Sequence, residues 1–201
     1  MAYFESLEEA YPLILHKIKE KSRHKQPILV AIDGRCGSGK STLASKLQAD
    51  LQCALLHMDD FFLQEYQRTE ARYQEPGGNV DYERVEEVLK AYIKNGSCTY
   101  QVFDCEIWAL GETKTLASSP ILIVEGSYSC RPNLSKYMDY KIFMHVNPEV
   151  QIARIKKRNG EKKLVDFKER WIPLEEKYFT TFHIEKICDD MIDTSKGGAD
   201  S

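Results

Sequence analysis

A glycine-rich segment that ends on a lysine and a serine is the strongest chemical signal in this sequence. Residues 34–41 read GRCGSGKS, a full match to the phosphate-binding pattern GxxxxGK[ST]. Glycines let backbone N–H groups turn inward around phosphate oxygens, and the start of a following helix adds the positive end of its dipole. The segment follows an apolar run and precedes a helical pattern, as this motif requires. The sequence therefore predicts a nucleoside triphosphate site.

Residues inside the motif and at the end of a later apolar run predict which groups bind the phosphates and which bind Mg²⁺. Lys40 is predicted to reach the β- and γ-phosphates of ATP, and the Ser41 hydroxyl is predicted to bind Mg²⁺. The apolar run 121–125 ends on Glu125, and ligands of open α/β sheets bind at the carboxyl ends of strands. Glu125 is therefore predicted as the second Mg²⁺ residue, the alternative being an exposed glutamate at a strand end. The residues predicted to contact ATP are Gly34, Cys36, Gly37, Ser38, Gly39, Lys40, Ser41 and Thr42.

Two adjacent aspartates after another predicted strand could supply a general base. The segment 57–62 reads HMDDFF, so the carboxylates are followed by two aromatic residues. Phosphoryl transfer to a hydroxyl needs a carboxylate beside that hydroxyl, and apolar side chains can wall the acceptor. We predict that Asp59 is the base and that Phe61 contacts the acceptor, with Asp60 as the next candidate. The alternative is that one aspartate only caps the following turn.

Basic residues at helical spacing could cover the transferred charge. Arg154, Lys157 and Arg158 lie at i, i+3 and i+4, which places them on one helix face. We predict that residues 154–164 form a lid, in which Arg154 and Arg158 close over the triphosphate and exclude water. A solvated basic face is the alternative.

Apolar runs and helical patterns alternate along the chain, and these elements must position the groups above. The alternation predicts one α/β domain over residues 1–201 with a mostly parallel sheet. Residues 1–26 are predicted as a helical extension that Ser6 caps and that Pro12 kinks or splits. Residues 97–116 have the pattern of an antiparallel hairpin, and residues 195–201 are predicted to be a flexible tail. The predicted strands are 28–33, 53–57, 121–125, 140–146 and 191–194.

Missing motifs and the overall charge argue against several classes of protein. The sequence has no NKxD element, as a GTPase would, and no LSGGQ-like signature, as a transport ATPase would. Its 28 basic and 31 acidic residues give a net charge of −3, which argues against a nucleic-acid partner. No apolar run approaches the roughly 18 residues of a membrane span, and no secretory signal is visible. We therefore expect a cytoplasmic protein without a membrane partner; a homo-oligomeric state stays open.

The class that remains transfers the γ-phosphoryl group of a nucleotide to a hydroxyl of a small molecule. We predict this chemistry because the sequence offers both a carboxylate base and cations for the transferred charge. A regulator that hydrolyses ATP slowly, without a small-molecule acceptor, is the rival from another class. Dependence of ATP consumption on an acceptor would separate the two.

Five segments resemble the uridine kinase-like branch of the P-loop kinases, which is related to phosphoribulokinase and pantothenate kinase. They read GRCGSGKST, MDDFF, GGNVDYERV, IVEGSYS and RIKKRNG…WIPLEEKYF, and they cover roughly residues 27–195. The resemblance implies a P-loop NTPase fold with a five-stranded, mostly parallel sheet in the order 2-3-1-4-5, flanked by helices. It also implies an ATP- and Mg²⁺-dependent kinase whose acceptor is a nucleoside.

The resemblance assigns three residues to the acceptor. It places Asp59 at the family's catalytic aspartate and Asp81 at an aspartate that holds ribose hydroxyls. It places Tyr100 near a hairpin that walls the acceptor pocket. For Asp81 the alternative is a cap of the helix that follows it.

The resemblance also assigns the charged groups around the phosphates. Glu125 matches a magnesium-associated glutamate, and Arg154 and Arg158 match lid arginines. Two departures bear on the acceptor: NVDYE stands where uridine kinases carry an NFDHP-like stretch, and the lid reads RIKKRNGEKK rather than an RDxxERGR-like segment. Kinases of pantothenate, of sugars or of ribulose phosphate therefore stay as alternatives.

Overall fold

Six parallel strands form the central sheet of the computed structural model, which describes residues 1–196. Alternate residues of the second strand point to opposite faces, so Leu29 and Ala31 join one apolar core while Val30 and Ile32 join the other. Because every pair is parallel, all six strands end at the same edge of the sheet. In sheet order the strands are β1 (Ala2–Phe4), β8 (Asp190–Asp193), β7 (Tyr140–His145), β2 (Ile28–Gly34), β6 (Ile121–Glu125) and β3 (Ala54–His57).

Helices cover both faces of this sheet and connect its strands. They are α1 (Leu7–His24), α2 (Lys40–Leu51), α3 (Glu70–Gln74), α4 (Tyr82–Asn95), α5 (Pro132–Ser135), α6 (Pro148–Asp166), α7 (Ile172–Phe182) and α8 (Ile184–Ile187). A π-helical turn, Phe167–Trp171, joins α6 to α7, and α6 is broken at Gly160, whose φ is 80° and ψ 168°. Among residues 1–196, no helix is long and apolar enough to cross a membrane.

The predicted antiparallel hairpin is present beside the main sheet. It consists of β4 (Cys98–Asp104) and β5 (Ala109–Leu116), and its register shifts between Gln101 and Phe103. Tyr100 and Leu116 from the hairpin are buried in the core on one face of the sheet. The hairpin therefore packs against the domain through these residues.

The parallel α/β architecture was predicted correctly, but two details were wrong. The sheet has six strands instead of five, because β1 pairs in parallel with β8 at the edge; the other five lie in the order β3-β6-β2-β7-β8. Of the kink or split predicted at Pro12, the split is wrong, because the first helix runs on to His24. Of the predicted tail, Ser195 and Lys196 form a turn in which the Ser195 hydroxyl accepts from the Asn147 amide at 2.8 Å. Residues 197–201 lie outside the described residues.

Candidate active site

A cleft of about 690 Å³ lies along the edge where the parallel strands end. Its walls come from the segments that follow β1, β2, β3, β6 and β8, and from α6 and the turn after it. Motifs that are far apart in sequence therefore meet in one space. The predicted site residues that line this cleft are Cys36, Gly37, Ser38, Gly39, Lys40, Ser41, Thr42, Asp59, Glu125, Arg154 and Arg158.

The loop between β2 and α2 owes its shape to its glycines. Gly34 has a φ of 137°, and a Cβ there would lie 2.2 Å from the Met144 carbonyl oxygen, so a side chain does not fit. Gly39 has a φ of 90° and directly precedes α2, which begins at Lys40. The first amides of α2 have no helical partner, and they lie at the cleft with the positive end of the helix dipole.

Two polar side chains of this loop fit a phosphate ligand. Lys40 Nζ donates to the carbonyl oxygens of Gly34 and Arg35, each at 2.9 Å, which holds the ammonium group at the cleft wall. Ser38 is fully buried, and its hydroxyl has no hydrogen-bond partner among residues 1–196. A buried hydroxyl without a partner is costly, and a phosphate oxygen is the partner that this position suits. The loop therefore fits a polyphosphate.

A buried glutamate that sequence reasoning missed holds the phosphate-binding loop in place. Glu175 of α7 is 5% exposed and accepts from the Cys36 amide at 3.0 Å and from the Ser127 hydroxyl at 2.6 Å. The amide of Cys36, predicted to contact ATP, is thus already bonded to the protein. Burial and the Glu175 charge raise the pKa of the Cys36 thiol, so this thiol stays neutral.

Ser41 and Glu125 meet in the cleft although they lie 84 positions apart. The Ser41 hydroxyl donates to Glu125 Oε1 at 3.1 Å, and Glu125 Oε2 lies 2.9 Å from His57 Nδ1. That hydrogen bond raises the pKa of His57. A lone histidine at a strand end did not signal this contact.

The donor set around Ser41 suits one kind of metal ion. Within residues 1–196, no three or more His, Cys, Asp or Glu side chains are grouped to hold a metal by themselves. Ser41 and Glu125 instead offer one hydroxyl and one carboxylate beside the phosphate-binding loop. Mg²⁺ is a hard cation that usually keeps waters and substrate phosphates among its ligands, so these residues fit it.

The structure separates the two adjacent aspartates. Asp59 is exposed and lines the cleft, whereas Asp60 is buried and bound on both carboxylate oxygens. Lys114 Nζ lies 3.1 Å from Asp60 Oδ1, and the Tyr100 hydroxyl donates to Asp60 Oδ2 at 2.7 Å. Desolvation by the surrounding cleft walls and the negative charge of Glu125 raise the pKa of Asp59, and the charges of Lys40, His57 and Arg158 oppose this rise. Asp59 is thus the aspartate that a substrate can reach.

The predicted acceptor contact of Phe61 needs correction. After β3 the chain turns as a short 3₁₀ helix, Met58–Asp60, which points Phe61 into the core and leaves Phe62 in the cleft wall. Phe61 is fully buried and stacks on Tyr100, with ring centroids 5.1 Å apart. The linear pattern HMDDFF does not show this change of direction.

Two further residues that were predicted to contact the acceptor form hydrogen bonds with other residues of the protein. Tyr100 is buried, and its hydroxyl donates a hydrogen bond to Asp60. Asp81 is 2% exposed; it caps α4 by accepting from the Arg84 amide at 3.2 Å and forms an ion pair with the Arg84 side chain at 3.3 Å. Neither residue is in the described wall of the cleft.

The two predicted lid arginines lie in the cleft and have different partners. Arg154 donates to the Gly37 carbonyl at 3.2 Å and to the Thr194 hydroxyl at 3.0 Å, so it joins the phosphate-binding loop to the end of β8. Arg158 Nε donates to Asn159 Oδ1 at 2.8 Å, and the positive charge of Arg158 opposes the rise in the pKa of Asp59. The break at Gly160 lies just beyond both arginines.

A fully buried aspartate organises the loops under the cleft. Asp33 lies at the end of β2 and accepts four hydrogen bonds, and burial raises its pKa to about 6. At neutral pH it is therefore ionised, which suits a carboxylate surrounded by donors. Sequence reasoning missed it because the apolar strand continues directly into the glycine-rich loop. The four donors are the amides of Gly34, Tyr128 and Cys130 and the hydroxyl of Tyr178, at 2.7–3.1 Å.

We expect Asp33→Asn to lower the free energy of unfolding by about 2–4 kcal/mol at neutral pH. The amide nitrogen of asparagine would face backbone donors, so at least one buried N–H loses its partner. Urea unfolding at pH 7 measures the effect. Asp50→Asn is the control, because Asp50 accepts one hydrogen bond from Tyr11 at the edge of the protein. Equal stability of the two variants would contradict the role of Asp33.

The fold and the cleft define an α/β protein with a phosphate-binding loop. Comparison with known proteins adds the family to which this chain belongs. A family model described as an AAA domain matches residues 30–174. A uridine kinase from Clostridium botulinum (strain Kyoto / Type A2) is 29% identical over 141 residues, which cover 65% of this chain and 68% of that protein. The chain therefore belongs to this AAA domain family, and its sequence is similar to that of a uridine kinase. The resemblance stated from the five motifs is confirmed.

Solved structures show the same fold. A "possible uridine kinase" from Bacillus stearothermophilus has a TM-score of 0.64 and 20% identity, and the match covers 90% of this chain and 100% of that one. D-glycerate 3-kinase from Cryptococcus neoformans has a TM-score of 0.57 and 16% identity, with 81% and 84% covered. At these identities the likeness establishes the architecture.

Proposed function

We propose that this protein transfers the γ-phosphoryl group of ATP to a hydroxyl of a small molecule, and that this molecule is a nucleoside. One observation carries the proposal: Asp59, the reachable carboxylate after β3, shares a cleft with Lys40 and with the Ser41–Glu125 pair. A base and a polyphosphate site in one cleft are what phosphoryl transfer to a hydroxyl requires. The curated relative with 29% identity is named a uridine kinase, which supports a nucleoside as acceptor.

The residues of the cleft have separate roles in the proposed reaction. The loop amides, Lys40 and the Ser38 hydroxyl hold the phosphates, while Asp59 orients the acceptor hydroxyl and accepts its proton. Arg158 places positive charge near the transferred group. Ser41 and Glu125 would hold Mg²⁺, which when bound neutralises negative charge on the phosphate oxygens. Phe167 and Trp171 in the cleft wall limit the access of water, which would otherwise compete with the acceptor.

The raised pKa of Asp59 predicts where activity is lost in acid. Only the ionised carboxylate can accept a proton, so kcat should fall as pH drops through a value above the ordinary 3.8 of aspartate. Arg158→Gln should move this acid limb to higher pH, because the arginine charge favours ionised Asp59. The profile of kcat against pH measures the shift, and Lys162→Gln, at an exposed lid position, is the control. An unmoved limb in Arg158→Gln would contradict this coupling.

A screen of acceptors tests the proposed function. ADP release is followed with ATP and Mg²⁺ in the presence of nucleosides, sugars, pantothenate and hydroxy acids. We expect strong stimulation by a nucleoside and little ADP release without an acceptor. If only an acceptor of another chemical class stimulated ADP release, the proposed kinase activity would stand and the proposed nucleoside acceptor would be rejected.

A further inference from the structure

The cleft continues beyond the predicted phosphate site to the opposite edge of the sheet. Asp59 follows the edge strand β3, the phosphate-binding loop follows the central strand β2, and Leu7 comes after the other edge strand, β1. With about 4.8 Å between neighbouring strands, six strands span about 24 Å. The side chains after β1 that line the cleft are Ser6, Leu7 and Glu8.

The order of groups along the cleft gives these residues a function. The γ-phosphoryl group must lie toward β3, where Asp59 and Glu125 are. The rest of the nucleotide then extends from the start of α2 toward β8 and β1. Thr42 and Thr194 line the cleft on that side, and Leu7 lies at its end.

The segment after β1 is held firmly enough to serve as a wall. β1 pairs with β8, and the Tyr3 hydroxyl donates to Asp193 Oδ2 at 2.9 Å. The Ser6 hydroxyl caps α1 by accepting from the Glu9 amide at 3.2 Å. Leu7 is partly buried against the apolar core, so its position is fixed by packing as well as by the cap.

We propose that Leu7, flanked by Ser6 and Glu8, is the apolar wall on which the nucleoside of the phosphate donor packs. The inference rests on the proposed function, because it assumes that a nucleoside triphosphate occupies the cleft. The family model matches from residue 30 onward, so this wall lies outside the matched part of the chain. The nucleoside end of the cleft is therefore built by an N-terminal segment of this protein.

Binding of ATP and of inorganic tripolyphosphate separates this wall from the phosphate site. Both ligands carry three phosphates, and only ATP can contact Leu7. Calorimetric titration with Mg²⁺ should show that the wild type binds ATP more tightly than tripolyphosphate. Leu7→Ala removes apolar contact area, so it should weaken ATP binding about fivefold and leave tripolyphosphate binding unchanged. Leu13→Ala, at an exposed position of α1, should change neither.

Each outcome of this experiment decides the matter. A retained ATP affinity in Leu7→Ala overturns the wall, and so does an equal loss for both ligands, which would mean that Leu7 only supports the loop. Leu7→Met conserves volume and should restore ATP affinity, which guards against an effect of poor folding. A wild type that binds neither ligand overturns the proposed function itself, whereas failure of the wall alone leaves ATP and tripolyphosphate binding intact.

Discussion

Asp59→Asn should lower kcat at least about 100-fold while the affinity for ATP stays close to that of the wild type. The change keeps the shape of the side chain and removes the carboxylate that accepts the hydroxyl proton, and general-base catalysis contributes 10²–10⁴-fold. Asp59 is an exposed residue of the cleft wall, so its replacement removes no buried contact. Steady-state kinetics with the stimulating acceptor, combined with ATP titration, measures both quantities.

Asp60→Asn is the matched control for this prediction. Asp60 is buried with Lys114 and Tyr100 as partners, so Asp60→Asn should lower the free energy of unfolding. The molecules of this variant that stay folded should keep a kcat close to that of the wild type. If Asp59→Asn turned over at nearly the wild-type rate, Asp59 would be removed from the mechanism and Asp60 would become the next candidate for the base.

Lys40→Ala should abolish measurable turnover with every acceptor, a loss on the order of 10³-fold or more. Its ammonium group is the cation that the loop holds at the cleft wall, through the carbonyls of Gly34 and Arg35. Removal of one preorganised group that stabilises transition-state charge costs 10²–10³-fold, and Lys40 also binds the ground-state phosphates. Rates of ADP release at saturating ATP measure the loss.

Lys46→Ala serves as the control for Lys40→Ala. Lys46 is an exposed lysine of the same helix and lies over the ring of Tyr11, away from the cleft. Its replacement should leave turnover unchanged. Substantial turnover in Lys40→Ala would contradict the placement of the polyphosphate on this loop.

Local sequence predicted the phosphate-binding loop and the strand ends well, because their signals lie within a few residues. The sequence shows directly the glycine that the turn at Gly34 needs. It also shows the strand end at which the carboxylate of Glu125 lies. The direction of the side chains after the 3₁₀ turn was not predicted: Phe61, predicted to contact the acceptor, is buried, and Phe62 lies in the cleft wall. Such a choice is made by packing against the hairpin, which lies about 40 residues away.

Contacts between distant segments account for what sequence reasoning missed. β1 has only three residues, too few for a periodic pattern, and it forms because β8 offers an open edge. Asp33 and Glu175 look like ordinary acidic residues until their buried donors are seen. The contact of His57 with Glu125 arises because the two residues are partners on adjacent strands.

The fate of the γ-phosphoryl group tests the central claim most directly. In a single turnover with γ-labelled ATP and the acceptor panel, we predict that the label appears in a phosphate ester of one acceptor and that Lys40→Ala and Asp59→Asn suppress it. Label found only in inorganic phosphate, with every acceptor present, would contradict the account and would identify the protein as an ATP hydrolase.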